Sequence, residues 1–257
     1  FHTMPGLPLS NKEKDIEMFK ELFENQNYKP DSLKIYPCLV MPGTALHGLW
    51  KLGKFNPIIT EEAADIISEA KKYVPKYCRI YRIERDISSK VIAAGVDKTN
   101  LRQYVFELMK KKDIKCNCIR CREPRNREVD LNDVKILRIN YEASNGQEVF
   151  ISAEDAQNDI LLGFLRLRVP YKPFRPEITQ RSAGIRELHI YSEATPLGKI
   201  GKVQHRGLGK QLMLEAERIA KEEYDIKKLL VISGVGVRQY YAGLGYNKDG
   251  VYMSKIL

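Results

Sequence analysis

A chain of 257 residues, 43% hydrophobic and 30% charged, is long enough for one large domain or two ordinary ones with a buried core. No apolar run approaches the roughly 20 residues needed to span a bilayer. No secretory signal is visible, so no membrane partner is expected. Net charge is +10 and it is localised: residues 71–128 hold 17 Lys/Arg against 7 Asp/Glu, while the remainder holds 26 of each. A solvated basic face is the bland reading of that segment. The sharper one is a polyanion-binding surface, most naturally for nucleic acid. Five cysteines, three of them within residues 116–121, do not form a disulfide framework. A reducing, cytoplasmic compartment is therefore expected.

The opening, Phe1-His2-Thr3-Met4-Pro5, reads as the inside of a folded domain, so a preceding segment is expected. From Asn11 to Asn25, Ile16, Phe19, Leu22 and Phe23 share one helical face. Leu33 to Val40 is strand-like. Thr60-Glu61-Glu62-Ala63 reads as an N-cap followed by acidic residues, opening a helix through Tyr73. Arg79 to Ile83 is a short strand and Leu101 to Lys112 a helix. This alternation predicts parallel β/α units, too few for a complete barrel.

From Arg120 to Val129 polar residues and Pro124 mark a junction. Beyond it, strands are expected at 135–143, 148–153, 160–169 and 185–191. A helix over 207–224 follows, then a strand at 227–233, a short helix at 237–244 and a last strand at 251–256.

Two features carry chemistry. The first is Val203-Gln204-His205-Arg206-Gly207-Leu208-Gly209-Lys210, a Q-x-x-G-x-G run entering the long helix. Glycines two apart let the backbone turn so that successive N–H groups point into one concavity. The positive end of the helix dipole adds to it, making a pyrophosphate site. An ordinary strand-to-helix turn is the plain alternative. The second feature is Cys116-x-Cys118-x-x-Cys121, three thiolates that suit Zn²⁺ in a structural role. The fourth ligand stays open between Cys38, Cys78, His2, His47 and residues outside the chain.

The strand order and glycine turn over residues 131–257 resemble the GNAT acetyltransferase fold. That resemblance implies acetyl-CoA, with its pantetheine arm between two splayed strands, here Arg186–Tyr191 and Lys228–Ser233. Glu187 and His189 alternate with Leu188 and Ile190, sharing one strand face near the expected thioester. Of the adjacent Tyr240 and Tyr241, which point about 100° apart on a helix, Tyr241 is expected to face the thioester and Tyr240 to pack. A phenol there can donate to a developing thiolate.

Longer blocks narrow the resemblance. Glu187 to Tyr191, the glycine turn, Glu215 to Ala220, Ile232 to Arg238, and Tyr240-Tyr241 with Leu244-Gly245-Tyr246 are similar to the catalytic subunit of Elongator. So are His2 to Pro8, Tyr36-Pro37 with Gly43-Thr44, Leu49-Trp50-Lys51 and Arg82 to Ile87, which resemble the later part of that family's radical-SAM domain. The implied architecture is α/β: the C-terminal part of a partial (β/α) radical-SAM barrel followed by a GNAT acetyltransferase domain. The boundaries are placed at 1–115, 116–130 for the Cys-rich linker, and 131–257. The spacing suggests an archaeal or bacterial stand-alone form, though accessory Elongator-type subunits are the other possibility.

The resemblance implies a tRNA-modifying enzyme that uses acetyl-CoA at carbon 5 of the wobble uridine. Glu187, Leu188, His189, Ile190, Gln204, Gly207, Leu208, Gly209, Lys210 and Tyr241 fall at the acetyl-CoA positions. Tyr241, Tyr240, Glu187 and His189 are the candidate catalytic groups. A 4Fe–4S cluster and S-adenosylmethionine belong to the full-length family member. Its cluster motif lies upstream of anything present here, so this chain is expected to lack radical chemistry. Arg79, Arg82, Arg85, Lys110, Lys111 and Lys112 are then expected to meet phosphates of the tRNA anticodon stem-loop. The rival readings are a histone-type protein lysine N-acetyltransferase and a non-catalytic RNA-binding module. The positive charge excess disfavours the first, and the intact Gln204, Gly207, Gly209 and Tyr241 disfavour the second.

Overall fold

The computed structural model describes residues 1–84, 87–191 and 207–257. The chain divides into two compact units, Phe1–Cys121 and Arg122–Leu257, a division inside the 116–130 segment.

In the first unit, strands β1 (His2–Thr3), β2 (Ser32–Ile35) and β3 (Arg79–Ile83) form a parallel sheet in that order. Helices α1 (Lys12–Glu24), α2 (Ala45–Lys51), α3 (Thr60–Ala70), α4 (Leu101–Lys111) and the short α5 (Ile119–Arg122) complete the element order. Parallel strands need helical crossovers, and α1 supplies the first. The predicted α1 is capped as its sequence suggests, with the Asn11 side chain accepting from the Lys14 N–H at 2.9 Å. At α3 the expectation is corrected. Thr60 is the first helical residue, and its hydroxyl donates to Asp97 at 2.8 Å instead of capping. The Glu62 carboxylate reaches back to the Ile59 N–H at 3.1 Å, which is half of a capping box. Asp65 on α3 accepts from Lys12 of α1 and from Lys112 just past α4, and Lys112 also donates to Glu69 at 3.0 Å.

The second unit holds one seven-stranded sheet. Strands β4 (Val134–Ala143), β5 (Gly146–Asp155), β6 (Ile160–Val169) and β7 (Ser182–Ile190) run as an antiparallel meander. After α6 (Leu208–Tyr224), β8 (Lys228–Val231) pairs parallel to β7. Then α7 (Arg238–Ala242), β9 (Asn247–Asp249) and β10 (Tyr252–Ile256) finish the order β4-β5-β6-β7-β8-β10-β9. Strand β9 was not expected from the sequence. The β7–β8 pair is joined through a helix within an otherwise antiparallel sheet.

Leu208, Leu212, Met213, Ala216, Ile219 and Ala220 are the buried stripe of α6, at the spacing of one helical face. They pack on Val149, Ile151, Leu165, Leu167, Ile185 and Val231 of the sheet. Each fully buried Leu or Ile contributes about 1.5–3 kcal/mol, so this layer fixes where the first turn of α6 sits.

Candidate active site and metal centre

The β7–β8 pairing runs only from Ser182↔Lys228 to Ile185↔Val231, closed by the Ile232 N–H donating to the Ile185 carbonyl at 3.1 Å. Strand β7 continues to Ile190 along β6 alone. The cause is local. Opposite Leu167 and Arg166 stand Ile185 and Glu187, so Arg186 is one residue extra. Such a bulge bends and twists its strand. It also shifts the alternation: Ile185, and then Leu188 and Ile190, all pack against the core that α6 covers. The strands therefore diverge just past Ile185, as the sequence expectation of a splay required.

The two glycines of the turn do different work. Gly207 precedes α6 with φ +71° and ψ 15°, a left-handed conformation costly for residues with a Cβ. A Cβ there would meet no atom of the described residues within 4 Å. Gly209 leaves room for a side chain: a Cβ on it would lie 2.8 Å from the Tyr240 hydroxyl and 3.7 Å from Ile190 Cγ1. The N–H groups of Leu208, Gly209 and Lys210 open a 17-residue helix, where they have no intrahelical acceptor. Gln204 lies outside the described residues, as does Arg85.

The geometry separates the two tyrosines. Tyr241 is only 6% exposed and sits in the core beside Tyr246. Tyr240, expected to pack, is 44% exposed with its hydroxyl at the first turn of α6. Burial raises the pKa of both phenols, keeping each a hydrogen-bond donor at neutral pH.

Glu187 and His189 share a face as predicted, opposite to Leu188 and Ile190. Glu187 accepts from Arg166 Nε at 2.9 Å. The Arg166 guanidinium lies over the rings of Phe150 and Phe164 at 5.3 and 5.1 Å. His189 stacks on Phe164 at 5.8 Å and meets Tyr191 edge-on at 4.5 Å. Arg166 escaped the sequence reading, although its alternation with Phe164 and Arg168 in β6 puts it on this face.

In the first unit the sulfurs of Cys116, Cys118 and Cys121 all lie within 4.8 Å of one another. Ligation at about 2.3 Å in a tetrahedron spaces thiolates about 3.8 Å apart, so the trio fits a zinc-sized ion after a small contraction. The Cys121 N–H donates to the Cys118 carbonyl and the Ile119 N–H to the Cys78 carbonyl, both at 2.9 Å, holding the loop. The proposed fourth ligands stand elsewhere among the described residues. Cys38 packs with Val40 and Phe55, His2 meets Tyr36 edge-on, and His47 stacks on Trp50. Cys78 is buried outside the group. No second set of described cysteines fits a 4Fe–4S cluster.

The basic residues are not equivalent. Arg82 is exposed on β3, and Arg79 lies over the Tyr81 ring at 5.3 Å. Lys110 and Lys111 are exposed in the last turn of α4, where they also complement its dipole. Lys112, expected to face phosphate, is bound to Asp65 and Glu69.

A family model for the Radical_SAM C-terminal domain matches residues 30–111. The chain is 52% identical to the tRNA uridine(34) acetyltransferase of Methanocaldococcus jannaschii, over 100% of its own length and 49% of that relative's. Identity to Elongator complex protein 3 of Saccharomyces cerevisiae is 46%, over 99% of this chain and 47% of the relative. The solved archaeal Methanocaldococcus infernus Elp3 with its N-terminus deleted matches with a TM-score of 0.94 at 50% identity, covering 100% of this chain and 62% of that one. The chain thus spans about half the length of the curated relatives it matches.

Proposed function

Because the chain belongs, over the half it spans, to the family of the archaeal tRNA uridine(34) acetyltransferases and Elongator complex protein 3, we propose that it binds acetyl-CoA in an enzyme that modifies carbon 5 of the tRNA wobble uridine. One observation carries the reading: the divergence of β7 from β8 past Ile185 lies in the sheet that packs under the glycine-led first turn of α6. On this reading Leu208, Gly209 and Lys210 offer N–H groups to the pyrophosphate. Pantetheine runs along β7 beside Glu187 to Ile190. The Tyr240 hydroxyl, with Tyr241 behind it, donates toward the sulfur of the thioester. Glu187, held by Arg166, and His189 are the acid–base candidates.

Arg79, Arg82, Lys110 and Lys111 are assigned to the phosphates of the anticodon stem-loop. Cys116, Cys118 and Cys121 are assigned to a structural zinc. Radical chemistry through a 4Fe–4S cluster and S-adenosylmethionine is left to the remainder of the family's architecture, and no step here depends on it. No described helix is long and apolar enough to cross a membrane.

The test is CoA release from acetyl-CoA, with and without tRNA, compared with a lysine-rich peptide as acceptor. Release stimulated by tRNA is expected. Release stimulated by the peptide alone would transfer the reading to a protein lysine acetyltransferase.

A further inference from the structure

Lys71 is a lysine that the fold places where a hydrocarbon is expected. It follows Thr60, Ala63, Ala64, Ile67 and Ala70 on the buried face of α3 and is itself 0% exposed. Its ammonium lies 3.7 Å from Cys121 Sγ and 5.3 Å from the centre of the Phe106 ring. Among the described residues it has no carboxylate partner, unlike its neighbour Lys72, which is paired with Glu69. A buried ammonium is retained only against a compensating negative charge. The anionic candidates beside it are cysteines: Cys121 touches it, and the Cys116 and Cys118 sulfurs lie within 4.8 Å of that of Cys121.

Resting on the metal reading of that trio, we propose that Lys71 is a positioning residue of the metal site: it donates to a metal-bound thiolate and cancels the site's net charge. Three thiolates and one divalent ion sum to a single negative charge, and one ammonium balances it. An N–H donor to a ligating sulfur also fixes the ligand's orientation, as outer-shell donors do at metal sites. The Phe106 face, negative at its centre, also attracts the ammonium, 5.3 Å away.

The test loads the full chain with Co²⁺ and reads the thiolate-to-cobalt charge-transfer band, then the rate at which a chelator strips Zn²⁺. Lys71→Met keeps the length and burial of the side chain but removes donor and charge. Lys71→Gln keeps a donor only, and Lys71→Arg keeps both. Metal affinity is expected to fall roughly 10- to 100-fold in Lys71→Met, with a shifted band, less in Lys71→Gln, and to be restored in Lys71→Arg. If Lys71→Met does not fold, the Gln and Arg variants decide the matter by the same band. Equal affinity and an unmoved band in both neutral variants would overturn the role of Lys71 while leaving the metal reading intact. A wild-type chain that takes up no cobalt would overturn both.

Discussion

The hydroxyl of Tyr240 stands over Gly209, so close that a single methyl on that glycine would lie 2.8 Å from the oxygen. The missing side chain at 209 and the phenol at 240 are therefore one arrangement. The first leaves room for the second at the mouth of a helix.

Gly209→Ala separates ligand binding from folding. Alanine is the better helix former by about 1 kcal/mol, and the atom it strikes is the free end of a side chain, so the thermal midpoint should hold or rise. Acetyl-CoA affinity, measured by titration calorimetry, should nonetheless fall about tenfold as the Tyr240 hydroxyl is displaced. Unchanged affinity would separate Tyr240 from the cleft.

Gly207→Ala should do the opposite to the fold. No atom of the described residues obstructs the new methyl, so the expected cost is that of the left-handed backbone, about 1–2 kcal/mol. Denaturant melts read this directly.

The two tyrosines should part company. Tyr240→Phe is expected to lower tRNA-stimulated CoA release at least tenfold with little change in stability. Tyr241→Ala, which empties a site in the core, should cost about 3–5 kcal/mol in the same melts. Equal loss of release in Tyr240→Phe and Tyr241→Phe, both folded, would return Tyr241 to the thioester.

The lysines at the end of α4 should separate by salt. Lys110→Ala and Lys111→Ala are each expected to reduce the slope of log affinity for tRNA against log salt by about one. Lys112→Ala should leave the slope alone and lower the melting temperature, because it unties α4 from Asp65 and Glu69.

Acid should dissolve that same tie. Desolvation pushes the Asp65 carboxyl upward, but the hydrogen bonds from Lys112 and Lys12 outweigh it and hold its pKa below the ordinary 3.8. A depressed folded-state pKa stabilises above the unfolded value and is lost as pH falls through the folded one. The stability gap between wild type and Asp65→Asn should be full at pH 7 and shrink as pH falls below the ordinary carboxylate value of 3.8. A gap that widened with acid would contradict the ion-pair account.

Much of this was legible in the sequence because periodicity and turn chemistry are local. The helix at 12–24 carries its cap in Asn11, and the glycine turn declares the start of α6. What stayed hidden depends on residues far apart. Periodicity separates Tyr240 from Tyr241 by 100° but does not say which direction is inward. The bulge at Arg186, which parts β7 from β8, exists only relative to β6. Strand β9 is three polar residues made a strand by β10 alone. Lys71 had a visible signal, a lysine at the next position of the apolar stripe of α3, yet its partners lie some fifty residues on.

The parallel seam between β7 and β8 has a consequence in time. The β4–β5 and β5–β6 turns are short, whereas Ser182 pairs with Lys228 across a stretch of chain that includes α6. Contacts of such sequence separation form late, since their loop closure must precede any reward. Pulse-labelling hydrogen exchange should show β5 and β6 protected before β8 and β10. The cleft would then be absent from any half-assembled intermediate, so acetyl-CoA would act as a ligand of the finished sheet and slow its unfolding.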